Sequence, residues 1–184
     1  MTIHILFIQG GGEGTHDHWD NKLVASLGRA LGADTSIHYP RMPYEDEPSY
    51  TAWKPALVRA LESLDDGAVL VGHSLGGAFL LQVLVEARLT FRPRALILIA
   101  APFFGPGGWP GDEIAAHADL AQRLPADMPV ILVHGTDDET VPYAHAELYA
   151  RALPQAVLRP APRRDHQLND DLRSVGREIR SLAL

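Results

Sequence analysis

Residues 68–76 read Ala-Val-Leu-Val-Gly-His-Ser-Leu-Gly. Ser74 stands between Gly72 and Gly76, where an apolar run meets a helix-forming segment. A serine turned sharply out of a strand end presents its hydroxyl at the head of a helix, where free amides favour negative charge. The chemistry open to such a serine is nucleophilic attack on an acyl carbon. The spacing has a steric reason. Projecting the hydroxyl this way requires a strained backbone conformation, at a cost of roughly 1–3 kcal/mol. The tight turn also presses together the residues two before and two after, and glycine has no Cβ to clash there. Composition alone would produce the pattern only about 0.05 times in a chain this long. It therefore singles out one serine of seven.

A serine hydroxyl needs a base, and the base needs an orienting carboxylate. After a strand–turn–helix serine, the chain order is acid and then histidine. Downstream, the apolar run Val130–Val133 leads into His-Gly-Thr-Asp-Asp-Glu-Thr-Val-Pro, ending at Pro142. Acids just past a strand's carboxyl end lie where an open α/β sheet builds its site. Asp138 is the first choice, Asp137 the second and Glu139 the third. His166 follows in Arg-Arg-Asp-His-Gln-Leu-Asn, a loop between the last strand and the last helix. The other histidine after the acids, His145, falls within a helical segment. An oxyanion would need two fixed N–H donors. One is the amide of Leu75; the other belongs to the glycine loop after the first strand, Gln9-Gly-Gly-Gly-Glu-Gly14, with Gly11 ahead of Gly10. That loop carries neither the Lys-Ser/Thr of a phosphate-binding loop nor G-x-G-x-x-G spacing.

The remaining histidines suggest no metal. His16, His18 and His4 lack ligand spacing, so neither metal nor cofactor is expected. His16 and His18 read as flanking the pocket mouth or opening the first helix. His73 and His134 read as packing or supporting residues. Substrate contacts are expected from Gly10, Trp19, Phe103, Phe104 and Trp109. The last three sit in a loop of about a dozen residues between Ala101 and Gly111.

Six apolar runs must position these groups: Ile3–Ile8, Thr35–His38, Ala68–Gly72, Ala95–Ala100, Val130–His134 and Ala156–Arg159. Helical segments alternate with them: Trp19–Leu31, Ser49–Leu64, Leu75–Ala87, Asp112–Leu124, Tyr143–Leu153 and Asn169–Leu182. Runs that are apolar throughout predict burial on both faces. The alternation predicts an α/β three-layer sandwich: a mostly parallel six-stranded sheet with helices on both faces. The 184 residues are expected to form a single domain over 1–184. A net charge of −7 argues against nucleic-acid binding. The arginines from Arg159 to Arg180 read as a solvated face. There are no cysteines, which excludes disulfides and thiolate chemistry. The N-terminal residues read as a strand and no stretch suits a membrane, so a cytoplasmic protein is expected.

Taken together, Gln9-Gly10-Gly11, Gly72–Gly76, His134-Gly-Thr-Asp-Asp138 with Val141-Pro142, and Asp165-His166 resemble the α/β-hydrolase superfamily. The short length and His18-Trp19 are similar to the small lidless serine hydrolases of the retinoblastoma-binding protein 9 type. The resemblance implies an α/β-hydrolase fold without a cap domain, and it assigns the acid to Asp138. It implies a Ser74–His166–Asp138 triad cleaving a small-molecule ester or thioester through a covalent acyl-enzyme. A weakly catalytic binding protein on the same fold, or peptidase-type activity, are the alternatives. Two departures stand out: Gln9 replaces a common histidine, and Asp165 replaces a common glycine before the base. Asp tolerates left-handed backbone, so the turn there is expected to persist.

Overall fold

The computed structural model describes residues 2–87, 89–111, 113, 114, 117 and 119–182. Six strands form one all-parallel sheet: β1 (Ile3–Ile8), β2 (Thr35–His38), β3 (Val69–His73), β4 (Ala95–Ile99), β5 (Val130–Gly135) and β6 (Ala156–Ala161). Their order across the sheet is β2-β1-β3-β4-β5-β6. The helices are α1 (Asn21–Leu31), α2 (Tyr50–Glu62), α3 (Ser74–Glu86), α4 (Leu120–Arg123), α5 (Ala144–Ala152) and α6 (Arg173–Leu182).

Strand alternation divides the core into two layers. Leu6, Ile8, Leu70, Leu96, Leu98 and Leu132 face α2, α3 and α5, meeting Trp53, Leu57, Leu80 and Tyr149. Ile5, Phe7, Val69, Val71, Ile97 and Val133 face the other way, onto Leu23 and Leu27 of α1 and Val175 and Ile179 of α6. Every residue of β3, β4 and β5 is buried, as expected of strands that are apolar throughout. The edge strands β2 and β6 are only partly covered.

The strand order reverses between β1 and β3. A crevice opens at the carboxyl ends of strands on either side of such a reversal. The glycine loop leaves β1 there and Ser74 leaves β3. Among the described residues no helix is long and apolar enough to cross a membrane.

Three helical expectations change. The first helix starts at Asn21, because Thr15–Asp20 winds as a wider π-helical turn. Among the described residues of the expected helix 112–124 only Leu120–Arg123 is helical, and the proposed cap Asp112 lies outside them. Ile114, Leu120 and Leu124 pack on the core but make no continuous apolar stripe, so the segment has little to favour a longer helix. The last helix starts at Arg173 instead of Asn169. Leu168, Asn169 and Asp170 take φ of 49°, 54° and 55°, which no α-helix continues through.

The β3–α3 turn packs against the end of β1. A Cβ at Gly76 would fall inside the Gln9 carbonyl oxygen and press on Ile8. Gly76→Ala is therefore expected to lower the unfolding free energy by at least about 2 kcal/mol. Urea denaturation followed by circular dichroism measures this; an unchanged midpoint would refute the close approach.

Candidate active site

Ser74 is the first residue of α3 and carries φ of 52°. It is one of few non-glycine residues in the left-handed region, where L side chains are strained. A Cβ at Gly72 would meet Gly77 backbone, so both flanking glycines are required by contact. Ser74 Oγ lies 3.0 Å from His166 Nε2. The other ring nitrogen, Nδ1, lies 2.8 Å from Asp138 Oδ2. Three residues from three separate loops thus form one hydrogen-bonded line at the strand ends.

Asp138 is fixed before it meets the histidine. Its Oδ1 accepts from the amides of Thr140 (2.9 Å) and Val141 (2.8 Å). His134 Nε2 lies 2.8 Å from the Val141 carbonyl and 3.2 Å from Asp138 Oδ2, so one N–H is shared between two acceptors. Burial alone would raise the Asp138 pKa. The hydrogen bonds from His134, His166 and Val141 outweigh it and hold the carboxyl well below the usual carboxylate range. Asp137, the second choice, turns instead to the Thr136 hydroxyl at the surface.

The base loop lies over the end of β5, with the carbonyl of Arg164 occupying the space that a Gly135 side chain would need. Ahead of His166 the left-handed conformation falls on Arg163, with φ of 56°, and not on Asp165. Asp165 directs its carboxylate to the Asn169 amide at 2.8 Å, away from His166. Burial lowers the His166 pKa. The Asp138 hydrogen bond opposes that shift, and the neighbouring His73 adds to it.

The glycine loop settles against the serine. A Cβ at Gly10 would sit 3.1 Å from Ser74 Cβ, and one at Gly11 would press on the Leu75 side chain. The Gly10 amide is committed to Asp20 Oδ2 at 2.7 Å, and the Gly12 amide to the Glu45 carbonyl. The amides of Gly11 and Leu75 have no partner among the described residues. The Gln9 side chain, at the departure noted above, braces the loop. Its Oε1 accepts from Met42 N (2.9 Å) and its Nε2 donates to Glu45 (2.6 Å).

An open cleft of about 380 Å³ begins at Leu75 and is walled by Tyr50, Phe79, Phe104 and Trp109. A second apolar cavity of about 460 Å³ lies beyond it, sharing Phe104 and Ile114 and reaching Phe103, Gln82 and Tyr149. Phe103 thus faces the second cavity and not the first. Trp19 lines neither: it is half exposed, with the Lys22 ammonium 5.0 Å from its ring centre. Amphipathic aromatics at a helix start are placed by local packing, which motif spacing does not report. Among the described residues no group of three or more acids and histidines is arranged to hold a metal.

The chain matches the serine hydrolase family over residues 5–170. It belongs to that family. No curated protein matches this serine hydrolase in sequence. Solved structures resemble it in fold. The ydeN gene product of B. subtilis superposes with a TM-score of 0.74 at 20% identity, covering 99% of each chain. Est1E from Butyrivibrio proteoclasticus gives 0.71 at 18% identity, covering 99% of this chain and 87% of its own. XC6422 from Xanthomonas campestris, described as an α/β serine hydrolase without a lid, gives 0.59 at 18% identity, covering 98% and 80%. The fold is that of the α/β hydrolases, and the short segment after β4 agrees with the lidless kind.

Sequence reasoning missed Asp20, the buried carboxylate under the glycine loop. Its only signal is position, at the end of the loop that opens with Gly10.

Because the Asp138 pKa is depressed in the folded chain, its stabilisation is present above the unfolded value near about pH 4 and is lost as pH falls below it. The stability gap between the parent chain and Asp138→Asn is therefore expected to narrow from about pH 5 to about pH 3. Denaturant midpoints across that range measure the gap; a constant gap would contradict an ionised, hydrogen-bonded Asp138.

Proposed function

We propose that this serine hydrolase is an esterase that works through a covalent acyl-enzyme on Ser74. The observation that carries the reading is the Ser74–His166–Asp138 line, at 3.0 and 2.8 Å, on a strained strand–helix turn. His166 Nε2 takes the Ser74 proton as Oγ bonds to the ester carbonyl carbon. The carbonyl electron pair moves onto oxygen, and the amides of Gly11 and Leu75 receive that oxyanion. The intermediate collapses, the C–O bond to the alcohol breaks, and His166 returns the proton to the leaving oxygen. Water then enters and its oxygen bonds to the acyl carbon as His166 takes its proton; the bond to Ser74 Oγ breaks, His166 returns that proton to Oγ, and a carboxylic acid leaves. Asp138 keeps the Nδ1 proton in place and stabilises the imidazolium as it forms.

The commitments of Gly10 and Gly12 elsewhere favour Gly11 as the loop's donor. The cleft beside Leu75 supports a small acyl or alcohol group against the Phe104 and Trp109 wall. A structure of Est1E holds ferulic acid, an aromatic acid. The aromatic walls here make an aryl acyl group worth an arm of the test beside short aliphatic ones.

The test is labelling by a fluorophosphonate probe together with turnover of p-nitrophenyl esters of rising chain length. Labelling at Ser74, its loss in Ser74→Ala, and ester turnover that falls about 10³- to 10⁴-fold in Asp138→Asn are expected. An unlabelled folded chain would overturn the reading, and cleavage of aminopeptidase substrates alone would replace the esterase with a peptidase. The base must be neutral to act and its pKa is lowered, so the acid limb of kcat/KM is expected below the ordinary histidine value of about 6.5. A limb above that value would contradict the burial of His166.

A further inference from the structure

Beneath the Ser74 site lies a second histidine–carboxylate pair that the proposed reaction does not use directly. Asp20 and His73 are both buried. His73 Nδ1 lies 2.9 Å from Asp20 Oδ2. Its other ring nitrogen, Nε2, lies 3.0 Å from the main-chain carbonyl oxygen of His166. Asp20 Oδ2 also accepts from the Gly10 amide at 2.7 Å, and Oδ1 accepts from the Gln167 side-chain amide at 3.2 Å.

Counting protons settles the state of the pair. A carbonyl oxygen only accepts, so Nε2 carries a hydrogen. Asp20 receives hydrogen bonds from Gly10 and Gln167, which favour its ionised form, so Nδ1 carries the hydrogen between them. Both nitrogens of His73 are then donors, and the ring is an imidazolium beside a carboxylate. The Gln167 amide agrees. It points its NH₂ at Asp20 and leaves its own buried oxygen without a partner among the described residues. Burial of each group opposes its charge, but the partner outweighs it: the His73 pKa is raised and the Asp20 pKa is lowered.

The pair touches the three loops that meet at the serine. Asp20 holds the glycine loop through Gly10 and the base loop through Gln167. His73 is the residue before the nucleophile and holds the base loop through the His166 carbonyl. We propose that Asp20 and His73 form a buried carboxylate–imidazolium clamp that positions the glycine loop, the serine turn and the His166 loop relative to one another. The inference rests on the esterase reading for its kinetic consequence but not for its charge state.

The clamp also places a cation beside the base, with the His73 and His166 rings 4.9 Å apart between centres. The groups facing His166 are Ser74 from α3, His73 from β3, and His134 and Asp138 from β5 and its loop. Asp20 stands behind His73, and Asp165 turns away to Asn169. Removing the His73 cation leaves the Asp138 anion less opposed, so His166 binds its proton more tightly.

Four measurements on the full chain test the clamp. Nitrogen-15 NMR of histidine-labelled protein is expected to show His73 still protonated on both nitrogens above the ordinary histidine titration near about pH 6.5. This needs no turnover, so it stands apart from any failure of the esterase reading, which the fluorophosphonate probe reports. Asp20→Asn and His73→Gln are each expected to lower kcat for a p-nitrophenyl ester about 10- to 100-fold, with KM changed less than about threefold. The acid limb of kcat/KM in His73→Gln is expected to move to higher pH. The double variant, which buries no charge, is expected to fold and to lose little more activity than either single one. A neutral His73, parental kcat in the folded variants, additive losses or an unmoved acid limb would overturn the proposal.

Discussion

Turning a chain from the end of a central strand into a helix within one residue leaves no room for side chains beside the turn. That constraint governs the rest of the molecule. Ser74 takes φ of 52° because β3 and α3 are both held by the core and neither can relax. Gly72 and Gly76 are glycine because Gly77 and the Gln9 carbonyl occupy the space a Cβ would need. The same approach brings the end of β1 against the start of α3, which is how the glycine loop comes to lie over Ser74. A strained residue of this kind persists only where its surroundings over-determine it. Here the surroundings are three fully buried strands and a helix whose buried residues run almost its full length.

The loops around the turn are irregular, and irregular backbone near a core must still satisfy its polar groups. The structure meets that need with buried side chains. Asp138 takes two amides of its own loop, Asp20 takes the Gly10 amide, and His134 and His73 cap the carbonyls of Val141 and His166. The His134 and His73 bonds tie the acid loop and the base loop to the ends of β5 and β3. The amides of Gly11 and Leu75 stay free among the described residues because the neighbouring donors are spoken for elsewhere.

What was legible in the sequence follows from which signals are local. The runs of β3, β4 and β5 declare themselves because both faces of each strand are buried, so the composition is apolar without interruption. Ser74, Asp138 and His166 were named from spacing and chain order, and the fold brings them within hydrogen-bond distance. Helix 112–124 was over-read: its alanines favour helix locally, but among its described residues only Leu120–Arg123 is helical. Asp20 left no signal beyond its position after the glycine loop. Its importance arises from contacts with residues 53 and 147 positions away, and nothing in its own neighbourhood marks it as buried. Trp19 falls inside the π-helical turn Thr15–Asp20, where a regular helix start was expected, and it lines neither cavity.

The cleft between Leu75 and the packed Phe104 and Trp109 rings is what the short segment after β4 leaves in place of a larger covering element. Its aromatic walls bear on which acyl group fits, while the strained turn bears on what happens to it. The central claim is the covalent step at Ser74. Rapid mixing with a p-nitrophenyl ester, acid quenching and peptide mass analysis test it directly. The account predicts a burst of about one nitrophenolate per chain, with the acyl mass on the peptide that carries Ser74. Linear release without an adduct, or an adduct on any other residue, would contradict it.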